Sequence, residues 1–147
     1  MSKPNLSLVR DQGARRPLRI LIADDDRDTG LTLATILRSE GHEVHVALRG
    51  DEVLQLDRLL RSEALILDVD MPGMSGYAVA QEVREHRGTL APLLIAVSGK
   101  WKEPSERRLG RALGFDHYLV KPCDPREILA LLKPLQRGAS EAQGSAS

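Results

Sequence analysis

Five short apolar runs recur along this sequence, each pair separated by enough chain for one helix, and that rhythm admits very few folds. Residues 18–23, 64–67 and 93–97 are close to unbroken apolar stretches. They are too short for a helix that must bury itself and suit strands covered on both faces, as in the middle of a parallel sheet. Residues 43–47 alternate instead, with Val44 and Val46 set against Glu43 and His45, which marks a half-exposed edge strand. Residues 117–120 supply the fifth run.

Helical periods fill the intervals. Leu33, Ile36 and Leu37 fall at i, i+3 and i+4 in a helix that starts at Asp28 or Thr29 and stops at Gly41. Val53, Leu56 and Leu60 share one stripe over residues 51–61. Val79, Ala80 and Val83 face inward over residues 75–88, with Ser75 placed to cap and Pro72 and Gly73 to turn. Residues 104–113 are the least apolar: Leu109, Ala112 and Leu113 are the candidates for burial, and Arg107, Arg108 and Arg111 stay outside. Ile128, Leu131, Leu132 and Leu135 form the last stripe, and after Pro134 the chain dissolves into small polar residues. Parallel neighbours need crossovers, and crossovers are right-handed, so these units predict an α/β fold: a doubly wound, five-stranded parallel sheet with five helices. The edge character of residues 43–47 beside the buried residues 18–23 favours strand order 2-1-3-4-5. One domain over residues 18–136 accounts for the pattern, with loose tails at 1–17 and 137–147.

Charge narrows the function. Lys plus Arg and Asp plus Glu number 21 each in 147 residues, a balance that argues against a generic nucleic-acid or membrane-surface binder. The first residues lack a signal-peptide hydrophobic region and Cys123 has no partner for an internal disulfide, so a cytoplasmic setting is expected. His42, His45, His86 and His117 have no metal-ligand spacing and are read as surface or core residues.

In strand order 2-1-3-4-5 the switch point lies between the first and third strands, and ligands gather beyond the carboxyl ends of the strands there. Asp24, Asp25 and Asp26 close the first strand, and Asp68 and Asp70 close the third. Ser98 and Lys121 end the neighbouring two. Each has a plain alternative: the acids could satisfy turn amides, Ser98 could be a turn residue and Lys121 a strand-end cation. Together they describe a different object. Several carboxylates in one crevice need protons or a cation to coexist, and hard oxygen donors without paired His or Cys select Mg²⁺, with Mn²⁺ as a substitute. With a lysine opposite, such a site suits a phosphoryl group attacked by a carboxylate.

At these residues the chain resembles the receiver domain of two-component response regulators, which has the flavodoxin-like fold. The matching features are Asp24 and Asp25 after the first strand, Asp68 with Met71-Pro72-Gly73 after the third, Ser98 after the fourth, and Lys121-Pro122 after the fifth. The resemblance implies that Asp68 is the phosphoacceptor, charged by a histidine kinase or a histidine phosphotransfer protein. It implies that Asp25, Asp68 and the backbone carbonyl of Asp70 bind Mg²⁺ directly, Asp24 largely through water, and that Lys121 pairs with a phosphoryl oxygen. Ser98 would swing toward that group, and Tyr118, the switch aromatic, would turn inward behind it. It implies a cis Lys121-Pro122 bond. A downstream protein would read the face of the fourth helix, fifth strand and fifth helix, since the short remainder leaves no room for an output domain. The phrase over residues 114–122 is similar to hybrid-kinase receivers.

Some details depart from the common pattern. Asp26 is a third consecutive acid, either enriching the field around the metal or capping the first helix. Asp70 and Lys100 stand two residues beyond Asp68 and Ser98, where this family tunes the lifetime of its acyl phosphate, and an attraction between them would restrict the attacking water. Cys123 replaces a larger side chain. Two other readings stand beside the signalling one. A degenerate receiver would bind its partner without phosphorylation. Asp68-Val69-Asp70 also resembles the Asp-x-Asp of haloacid-dehalogenase-type phosphatases, but that motif should close a first strand, and here it closes the third. The signalling reading makes the chain no enzyme beyond its own phosphorylation and dephosphorylation.

Overall fold

The computed structural model describes residues 16–99 and 103–146, with side chains through residue 137. Five parallel strands, β1 (Arg19–Ala23), β2 (Glu43–Ala47), β3 (Ala64–Asp68), β4 (Leu93–Ser98) and β5 (His117–Val120), lie in the order β2-β1-β3-β4-β5. Ile20 stands beside both Val44 and Ala64, Asp68 beside Val97, and Ser98 beside Val120, so the carboxyl ends of β1, β3, β4 and β5 open on one side. Five helices alternate with the strands: α1 (Arg27–Ser39), α2 (Gly50–Leu60), α3 (Gly76–Arg87), α4 (Pro104–Ala112) and α5 (Pro125–Ala146). The expected order and fold class are both present.

Strand side chains alternate between two cores. Ile20, Ile22, Ile66, Ile95 and Val97 pack with Ala34 and Leu37 of α1 and Ile128 and Leu132 of α5. On the opposite face Leu21, Leu65, Leu67 and Leu94 pack with Val53 of α2 and Val79, Ala80 and Val83 of α3. Covering both faces is why β1, β3 and β4 read as unbroken apolar runs.

Several local expectations need correction. Helix α1 begins at Arg27, because Asp26 caps it by accepting from the Asp28 and Thr29 amides at 3.2 and 3.5 Å. Helix α2 turns Val53 and Asp57 inward, and Leu56 and Leu60 are only half-buried. Asp57 is accommodated because Arg87 Nη1 donates to both its oxygens, at 2.8 and 2.9 Å, while the Ser62 amide donates to Oδ1 at 3.1 Å. Helix α4 buries Gly110; Leu109 is 53% exposed and Ala112 faces outward. Helix α5 runs on past Pro134 to Ala146, where an irregular tail was expected. Leu18 N donates to Nδ1 of the buried His42 at 3.0 Å, which fixes that nitrogen as an acceptor, and burial holds the imidazole below its usual pKa. At the amino end of the sheet, Arg84 on α3 donates from Nε and Nη2 to the Gly114 carbonyl at 3.0 and 2.6 Å, and from Nη2 to Asp116 Oδ2 at 2.9 Å. That same Asp116 oxygen accepts from the Leu94 amide at 2.8 Å.

Candidate functional site at the carboxyl ends of the strands

Each side chain of the site is delivered by the end of a strand. β3 carries Asp68 to its last position, 5% exposed, and Asp70 N turns back to donate to Asp68 Oδ1 at 2.9 Å. The chain reverses through Gly73 at φ +81°, and Ser75 Oγ accepts from Ala78 N at 3.2 Å to start α3. Gly76 lets the helix start press on the strand end: a Cβ there would stand 2.7 Å from Val69 Cα and 3.0 Å from the Asp68 carbonyl oxygen. Any side chain at that position would displace the residue that presents the acid.

β1 brings Asp24, 6% exposed, with Oδ1 accepting from Asp26 N at 2.9 Å. Asp25 follows, exposed. Oxygen atoms of Asp24, Asp25 and Asp68 all lie within 4.8 Å of one another. The Lys121 ammonium joins the two buried acids, 3.0 Å from Asp24 Oδ2 and 3.1 Å from Asp68 Oδ2. Burial penalises the lysine's charge, but its bonds to Asp24 and Asp68 prevail and hold its pKa above the usual value. Among the described residues one cation faces three carboxylates, and the excess falls on Asp25, whose pKa is raised by burial and then by Asp68 and Asp24 beside it. Asp26 is drawn off to cap α1, which decides between its two expected roles.

Ser98 is fully buried at the end of β4, and its carbonyl accepts from Lys121 N at 2.7 Å. The Lys121-Pro122 bond is cis, as expected. Tyr118 is turned inward and half-buried, its hydroxyl 2.8 Å from that of Tyr77 and in contact with Ser98. Burial, reinforced by Tyr77, pushes the Tyr118 phenol above its ordinary pKa. The strands thus gather Asp24, Asp25, Asp68, Ser98, Lys121 and Tyr118 at one end, with Asp70 exposed at the mouth. Lys100, expected to face Asp70, lies outside the described residues. A cleft of about 650 Å³ runs from Asp24, Asp68 and Lys121 between α1 and the start of α5, past Leu33, Ile36 and Cys123.

Two partners of the site were not read from the sequence. Tyr77 was passed over because it lies in a helix whose stripe was assigned to Val79, Ala80 and Val83, 41 residues from Tyr118. Arg107 was placed outside, whereas its guanidinium lies 5.8 Å from the centroid of the Tyr118 ring. The available signal was position: Tyr77 sits in the first turn of α3, level with the strand ends.

Among the described residues no helix is long and apolar enough to cross a membrane. The family model described as the response regulator receiver domain matches residues 20–133. The response regulator MprA of Mycobacterium sp. (strain KMS) is 37% identical over 128 residues, which cover 87% of this chain and 54% of that protein. The chain spans about half the length of the curated relatives it matches. Among solved structures, the CheY-like response regulator receiver domain protein from Methanospirillum hungatei JF-1 has a TM-score of 0.76 at 26% identity, covering 86% of this chain and 99% of that one. The BeF3-activated DrrB receiver domain has a TM-score of 0.71 at 25% identity, covering 80% of this chain and 96% of that one. With strand order, acid cluster and family match in agreement, the chain belongs to the response regulator receiver domains, the signalling modules of two-component systems.

Proposed function

We propose that this chain accepts a phosphoryl group on Asp68 from a phosphohistidine of a histidine kinase or histidine phosphotransfer protein, in the cytoplasm, and that the modification resets a protein-binding face. One observation carries the reading: the buried Asp68 carboxylate shares the Lys121 ammonium with Asp24 at the head of an open cleft. A stabilising ion pair buried for its own sake would need one acid, not three.

The donor set fits a hard divalent cation, because three carboxylates converge within 4.8 Å and bring only oxygen ligands. Asp25, Asp68 and the Asp70 carbonyl would hold Mg²⁺, or Mn²⁺ in its place, with Asp24 beside them. When bound, the cation neutralises phosphoryl oxygens that the acids alone would repel. An Asp68 oxygen forms the new bond to phosphorus as the phosphorus–nitrogen bond breaks, and the departing imidazole keeps the electron pair and takes up a proton. Lys121 meets the incoming oxygens from the position where it already touches Asp68 Oδ2. Ser98 donates its hydroxyl to one of them, with Tyr118 inward behind it. Asp70, at the mouth, sets how readily water reaches the acyl phosphate, and Lys100, two residues beyond Ser98 in sequence, is assigned to the same role. The changed face is that of α4, β5 and α5, where Tyr118 reports.

Incubation with Mg²⁺ and acetyl phosphate, followed by intact mass measurement, tests the assignment. One added phosphoryl group in the parent and none in Asp68→Asn is the expected result. No addition to folded parent protein would favour a module that binds its partner unphosphorylated.

A further inference from the structure

The chain has two tyrosines, and they meet each other. Their hydroxyls stand 2.8 Å apart in a half-buried contact between the first turn of α3 and the middle of β5. Tyr77 is itself fixed, because its ring packs edge-on against the buried Phe115 with centroids 5.9 Å apart and planes at 79°. Arg107 covers the Tyr118 ring from α4 at 5.8 Å. Gly110 lies against both rings: a Cβ there would be in contact with Tyr118 Cε2 and Tyr77 Cε1, at 3.4 Å from each. The inward ring is therefore enclosed by α3, α4 and its own strand, and Tyr77 gives its hydroxyl a fixed partner on α3.

We propose that Tyr77 is a positioning residue for the switch, its hydroxyl holding Tyr118 inward before any phosphoryl group arrives, so that phosphorylation tightens an arrangement this chain already favours. This rests on the reading of Asp68 and Tyr118 given above. An outward Tyr118 would give up its contacts with Tyr77 and Ser98, and Tyr77→Phe removes the first of them. The net worth of one such bond corresponds to between about twofold and tenfold in the ratio of inward to outward forms. By linkage, affinity for a phosphoryl mimic falls by up to that factor when the bond is removed.

The test uses fluorine NMR of the full chain labelled with 3-fluorotyrosine, in which only two resonances arise. Tyr77→Phe assigns the Tyr118 signal and keeps the ring contact with Phe115, so the variant should fold. In ligand-free protein the Tyr118 signal of Tyr77→Phe should move toward that of free fluorotyrosine. It should return on addition of Mg²⁺ and beryllofluoride, with a midpoint raised over the parent's by at most about fivefold, because the parent already favours the inward form. A Tyr118 signal unmoved by Tyr77→Phe in the ligand-free protein would overturn the proposal. Should the parent itself fail to bind beryllofluoride, the phosphoacceptor reading falls, while the ligand-free comparison still decides the role of Tyr77.

Discussion

Replacing Asp68 by Asn should make the metal-free protein more stable while abolishing phosphorylation. The Asp68 carboxylate is 5% exposed and, among the described residues, is attracted by one ammonium, at 3.1 Å, which it shares with Asp24. It is repelled by two carboxylates whose oxygens lie within 4.8 Å. At an effective dielectric constant of about 20, a unit-charge pair at 3.1 Å is worth about 5 kcal/mol and each pair at 4.8 Å about 3.5 kcal/mol. Two repulsions therefore outweigh the one attraction by about 2 kcal/mol, and the cost of burying the charge adds to the deficit. Water around the exposed Asp25 screens its share. Asparagine keeps an oxygen for the Asp70 amide and removes the charge, so a gain of about 1–2 kcal/mol is expected, read as a higher urea midpoint by circular dichroism in the presence of a chelator. Excess Mg²⁺ should raise the parent's midpoint more than the variant's and close the gap, because the cation favours the full acid set. An Asp68→Asn protein no more stable than the parent without metal would mean that Lys121 already compensates the cluster, and the electrostatic case for a cation site would fail.

Two further outcomes follow from the packing. Arg87→Leu leaves Asp57, 4% exposed, without its counter-charge and should cost about 3–5 kcal/mol in urea unfolding. Adding Asp57→Leu should recover most of that loss, and a double variant as unstable as the single would show that the charge pair is not what the site needs. His42 is held neutral by burial and accepts from Leu18 N, so its folded pKa lies below the unfolded value. The stability it contributes is fully present above about pH 6.5 and is lost as pH falls from there through the folded pKa. His42→Asn should flatten that part of the pH–stability curve, and an unchanged slope would assign it elsewhere.

The fold was legible because both faces of β1, β3 and β4 are covered, which wrote three nearly unbroken apolar runs into the chain, while Val44 and its exposed neighbour Glu43 marked the edge. The site was legible because its parts lie at strand ends, where a local motif and a topological position coincide. What escaped was set by pairing across long separations. Asp57 is not in the stripe of Val53, Leu56 and Leu60, and it is held inward by Arg87, 30 positions on. Helix α4 was misread for a related reason. Its inward contact is a glycine against two tyrosine rings, with an arginine laid over one of them, so an apolar stripe was the wrong thing to seek. The small polar residues after Pro134 read as a tail, but helix α5 continues through them on the anchorage of Ile128 and Leu132.

The Arg84 contacts bear on how movement at the site can spread. Arg84 binds the Gly114 carbonyl and Asp116, and Asp116 binds the Leu94 amide, so α3, the approach to β5 and the beginning of β4 are clamped together at the end of the sheet remote from Asp68. β5 is four residues long, and Asp116 of that clamp is about 16 Å from Lys121 along the strand. A strand pinned at one end and altered at the other pivots rather than slides. Displacement then grows with distance from the clamp, smallest beside Asp116 and largest at Val120 and Lys121, where the proposed chemistry begins.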